Sequence, residues 1–163
     1  MLALRKTLRN FKLKLMEPMI VINYLAVGIA VAANFVLGFL WYTPLFGKIW
    51  AKEMGLTFDQ KPSTAFFVKA LFINIVGNFL MAWVLAHNIA VWNPATWGHD
   101  VPAEMTPVLM ATMSAIFTWL GFFVPVDLNT ISWEMKSWRL FLINTSYHLL
   151  SLLVVSYIIV FMS

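Results

Sequence analysis

The sequence predicts an all-α polytopic membrane protein with four transmembrane helices, preceded by an amphipathic interfacial helix. Two observations carry this expectation. Apolar residues make up 61% of the 163-residue chain and charged residues only 11%, with a mean hydropathy of +0.81; a soluble domain has roughly 45–50% and 25%. Moreover, every Lys, Arg, Asp and Glu falls outside four windows, residues 18–47, 70–99, 105–126 and 140–163. Each window can supply the about 20 apolar residues that a bilayer crossing takes. The spans are expected at about 19–43, 65–92, 106–125 and 139–162, as one unit over residues 18–163 with no room for a separate soluble domain.

In residues 1–17, Leu4, Leu8, Phe11 and Leu15 form one helical face beside Arg5, Lys6, Arg9, Lys12 and Lys14, the pattern of a helix lying in the membrane interface. The apolar run that follows is too long for the roughly 7–15 residues of a signal-peptide core, so a retained anchor is expected, with Pro18 breaking it from the first span. In that span Asn23, Val27, Ala30 and Asn34 repeat at i, i+4, i+7 and i+11, a narrow face of small and amide side chains suited to close helix packing. Trp41, Tyr42 and Pro44 then read as headgroup-level anchors and a helix stop. Residues 45–55 predict a short surface helix, with Phe46, Ile49, Trp50 and Met54 toward lipid, Lys48 and Lys52 outward, and Gly55 as its C-cap. The second span carries Asn74, Gly77 and Asn78. Thr106 and Pro107 form an N-cap and first-position pair for the third, whose small face is Ala111, Ser114, Ala115, Thr118 and Gly121 and whose expected stop is Pro125. The connection 127–138 adds Trp133 and Trp138, which join Trp41, Tyr42 and Trp50 as membrane-interface anchors.

The fourth span holds a polar stripe in an otherwise apolar rod: Asn144, His148 and Ser151, at i, i+4 and i+7. Hydrocarbon offers such groups no partner, so the stripe must face other helices or a wet cavity. Residues 69–80 align without gaps on 139–150, placing Asn74 over Asn144 and Asn78 over His148. This is the pattern expected of two repeated helical hairpins related by an axis along the membrane normal. At about 1.5 Å per residue, Asn34, Asn78 and His148 reach one depth. A polar layer of Asn34, Asn74, Asn78, Asn144, His148 and Ser151 is therefore expected, as a binding site or as packing between helices.

Two stretches carry a family resemblance. Asn23-Tyr-Leu-Ala-Val followed by Gly38-Phe-Leu-Trp41-Tyr-Thr-Pro44-Leu-Phe-Gly47-Lys-Ile-Trp50, and the later Phe141-Leu-Ile-Asn144-Thr-Ser-Tyr147-His148-Leu-Leu-Ser151, resemble the bacterial membrane-protein family catalogued as domain of unknown function 1761. The resemblance covers roughly residues 23–160. It implies a small four-helix protein, multi-pass in a bacterial inner membrane, and brings no activity or catalytic residues with it. The basic segment 1–17 departs from typical members, which start close to the first span.

Cysteine is absent, which excludes disulfides and thiolate metal sites. The three histidines are far apart in sequence, and neither a metal nor a cofactor is expected. No carboxylate falls inside an expected span to pair with His148, and no serine sits in a nucleophile-elbow context, so an enzyme is not expected. Nor is a proton-coupled exporter that needs an intramembrane acid. The net charge of +4 points to anionic lipid headgroups as partner rather than nucleic acid. The leading reading is a non-enzymatic accessory or assembly component, as a homo-oligomer or within a larger membrane complex. The alternative is a permeation or binding protein for a small solute, ion or proton, built on the polar layer.

Overall fold

The computed structural model describes residues 18, 20–56 and 63–163; the expected interfacial helix at 1–17 lies outside them. The described residues form helices and connecting turns with no strand. Helix α1 spans Tyr24–Leu40, α2 Gly47–Met54, α3 Thr64–Trp92, α4 Pro107–Thr118, α5 Val124–Ser132 and α6 Trp138–Met162. Four continuous helical stretches, Tyr24–Leu45, Thr64–Trp92, Pro107–Ser132 and Trp138–Met162, are long and apolar enough to cross a membrane.

Local chemistry sets the starts. Asn23 accepts from the backbone N–H of Leu25 and Ala26 at 3.0 and 3.1 Å, Ser63 from Phe66, Thr106 from Leu109 and Ser137 from Leu140. Each side chain satisfies a donor that the first turn leaves open. Gly55 closes α2 in the left-handed region, φ 73°, where a Cβ would be strained.

Two prolines expected to stop helices do not. Pro44 lies inside a π turn, Trp41–Leu45, that extends α1. Pro125 sits in the first turn of α5, directly after a second π turn, Trp119–Phe123. Proline lacks the N–H for the usual i→i−4 bond, and one wider turn absorbs that loss. In the first case the Phe46 N–H reaches back five residues to the Trp41 carbonyl, at 2.9 Å. In the second the Val124 N–H reaches the Trp119 carbonyl in the same way. The third apolar stretch consequently runs on to Ser132 instead of ending at Pro125, and it takes Asp127 with it.

Helix α6 is the axis of the packing. Its most extensive contacts are with α1 and α4, while α3 leans chiefly on α1. The core is made of small and branched residues: Val27 and Ala30 from α1, Ala82, Leu85, Ala86 and Ile89 from α3, Ala115 from α4, and Leu152, Val155 and Ile159 from α6. Alanines at these crossings let the backbones approach closely. The ends are tied separately. Asn23 donates to the Met162 carbonyl at 2.6 Å, joining the start of α1 to the end of α6. At the opposite end Glu53 of α2 accepts from the Ser137 hydroxyl at 2.6 Å and meets Arg139 at 3.6 Å.

Candidate functional site

Near the α2 end of the molecule, four elements bring titratable and aromatic groups together. Asp127, one turn into α5, is only 6% exposed, and its Oδ2 lies 2.8 Å from His148 Nδ1 on α6. This is the principal correction to the sequence reading, in which no span held a carboxylate that could pair with His148. The imidazole lies against Phe123 and Tyr147, with ring centres 4.8 and 5.7 Å away. Its Nε2 has no hydrogen-bond partner among the described residues. In the tautomer that gives Nδ1–H to the carboxylate, Nε2 carries the lone pair and is free to accept a hydrogen bond.

A second tier surrounds this pair. The Tyr42 hydroxyl, on the π turn after α1, donates to Asn144 Oδ1 at 3.2 Å, and its ring meets Tyr147 and Trp50 edge-on at 4.9 and 5.5 Å. The Trp41 indole donates to the Ile143 carbonyl at 3.1 Å. From the other flank the Trp119 indole donates to the Thr145 carbonyl and hydroxyl, at 2.9 and 3.0 Å. Each π turn therefore begins with a tryptophan that bonds to α6. Trp41 and Tyr42 thus place their polar atoms on α6, and Trp50 packs on Tyr42. Trp133 and Trp138 stand outward, 82% and 63% exposed.

The amides form a separate chain between α1 and α3. Asn34, 1% exposed, donates through Nδ2 to Asn78 Oδ1. Asn78 in turn donates to Asn74, at 2.7 Å to its side-chain oxygen and 3.0 Å to its carbonyl. Asn34 Oδ1 is buried without a hydrogen-bond donor in place. The Tyr147 ring packs against both Tyr42 and His148, with centres 4.9 and 5.7 Å away. Ser151 is buried and points its hydroxyl at the Met81 sulfur, 3.8 Å away.

The six residues expected in one layer thus divide three ways. Asn34, on the buried face of α1, reaches Asn78 on α3, which bonds to the exposed Asn74 one turn back. His148 and Asn144 are turned to Asp127 and Tyr42, and Ser151 is turned to Met81. Asp127 was hidden by the reading of Pro125 as a stop. The signal that could have found it is the apolar run on both sides of that proline, since proline is well tolerated in the first turn of a helix. Among the described residues, no three His, Asp or Glu side chains converge as a metal site would need.

The model of a family described as protein of unknown function, DUF1761, matches residues 25–160. The chain belongs to the DUF1761 family. The matched region runs from the first turn of α1 almost to the end of α6 and contains every residue of the site just described. The family's description assigns no activity to it. No curated protein and no solved structure matches the chain at a significant level.

Proposed function

We propose that this DUF1761 member is a non-enzymatic multi-pass protein of a bacterial inner membrane that binds a small polar solute through the Asp127–His148 pair. The observation that carries the reading is a 2.8 Å bond between these side chains within helices suited to cross a bilayer. An ionisable group costs about 2.5–3.5 kcal/mol at the centre of a spanning helix, and where one occurs it marks a ligand or proton path by default. Composition alone favours an assembly role; the pair moves the reading to binding. Nε2 offers an acceptor to a solute N–H or O–H, and Asn144 and Tyr42 add polar atoms nearby.

Native mass spectrometry of the full-length protein released from lipid nanodiscs tests this. A solute retained by the wild type and missing from a folded His148→Gln supports it. The same bound species on both, or none on the wild type, overturns it.

Charge alone does not orient the protein: Lys48, Lys52, Lys61, Lys69, Lys136 and Arg139 on the loop side stand against Arg5, Lys6, Arg9, Lys12 and Lys14 in the N-terminal segment, and a difference of one is no bias under the positive-inside rule. We assign the α2 end to the cytoplasm because its basic loops belong to the region that the family model matches, with the N-terminal segment pulling the other way. Removal of residues 1–15 is expected to raise the extracytoplasmic fraction of a reporter fused after Ser163. A reporter that moves to the cytoplasm instead would refute the assignment.

A further inference from the structure

The first half of α3 carries a polar group that one chain leaves unaccounted for. Asn74 lies ten residues into the helix, about 15 Å at ~1.5 Å per residue. It is exposed, among the exposed apolar residues Phe72, Ile73, Ile75 and Val76. Its side-chain oxygen and its carbonyl both accept from Asn78, but its Nδ2 donates to nothing among the described residues. Hydrocarbon supplies no acceptor, so an amide at this depth needs a protein partner. Beside it a hollow of about 350 Å³ is lined by Phe66, Lys69, Ala70, Ile73 and Asn74. Phe66, Lys69, Ala70 and Ile73 are spaced i, i+3, i+4 and i+7, the four-residue hole into which a side chain of a facing helix seats. One turn beyond Asn74, a Cβ added to Gly77 would meet nothing within 4 Å.

We propose that this face binds a second copy of the same chain, α3 against α3 about a two-fold axis along the membrane normal, with the two Asn74 amides forming a reciprocal pair. The argument for a second copy is self-complementarity. An amide holds both a donor and an acceptor with a spare lone pair, so Asn74 facing its own image satisfies both, as an isologous interface requires. Ala70 and Gly77, one turn to either side, let the two helices approach. The pairing also completes the amide chain that begins in the core at Asn34, which otherwise ends at lipid. The Asp127–His148 site lies elsewhere in the molecule, so this proposal stands or falls independently of solute binding.

The chain has no cysteine, which makes disulfide trapping in liposomes clean. Full-length Ala70→Cys is expected to give a covalent dimer on oxidation, whereas Val68→Cys, exposed on the opposite side of α3, is not. Equal trapping at both positions, or none at Ala70, overturns the interface. Dilution of fluorescently labelled protein in liposomes gives the second reading. Asn74→Leu is expected to weaken dimerisation roughly tenfold, as two interhelical bonds would, and Gly77→Ile to abolish it. An Asn74→Leu protein that dimerises like the wild type rules out the amide pair. A wild type that is monomeric at high density rules out the dimer.

Discussion

His148→Leu is expected to be the most destabilising single change in the candidate site, by about 3–5 kcal/mol, the cost of stranding a buried charge. The Asp127 carboxylate is nearly inaccessible and has His148 as its one side-chain partner among the described residues. Asp127→Leu strands only an imidazole, which can stay neutral and whose side chain is 27% exposed, so about 1–3 kcal/mol is expected there. The decisive measurement is the double variant. Two leucines leave no charge to strand and fill similar volume, and replacing a buried pair with apolar residues is often close to neutral. Unfolding in mixed micelles is therefore expected to show His148→Leu/Asp127→Leu more stable than His148→Leu alone. Additive losses across this cycle would show that the pair is not coupled.

Gly47→Ala is expected to cost about 1–3 kcal/mol, as overpacking does, although the position looks innocuous in the sequence. A Cβ there would lie 2.5 Å from the Tyr42 carbonyl oxygen, a backbone atom of the π turn that cannot swing aside. The chain must shift, and α2 moves with it. That displacement draws Trp50 off the Tyr42 ring and Glu53 away from Ser137 and Arg139. Gly28→Ala is the matching control. No atom lies within 4 Å of its added Cβ, and alanine is favoured over glycine inside a helix by roughly 0.5–1 kcal/mol. Equal destabilisation by the two substitutions would refute the close approach at Gly47.

The four apolar stretches were legible because hydrocarbon tolerates only helices there, and a run of charge-free residues records that constraint directly. The caps at Thr106 and Gly55 were legible for a local reason, since each depends on one side chain and its neighbouring turn. Counting depth along helices was enough to set Asn34 beside Asn78, because both distances run from the same membrane surface. It could not set His148, whose partner is chosen by how α5 lies across α6. Asp127 was illegible for the same reason combined with Pro125: the effect of a proline depends on whether the preceding turn can widen, which a sequence pattern does not display. The bond made by Trp41 was illegible in another way. An aromatic followed by proline at a helix end has the composition of an interface anchor, and only the placement of α6 shows that its N–H has a carbonyl to reach.

The two indoles set the rotational phase of α6. Trp41 holds the carbonyl of Ile143 from one flank and Trp119 holds Thr145 from the other, so turning α6 about its axis by one residue, about 100° at 3.6 residues per turn, breaks both bonds at once. His148 follows Thr145 by three residues on the same rod, and any such turn carries its ring away from Asp127. The direction in which the imidazole points is thus governed by the two tryptophans that open the widened turns.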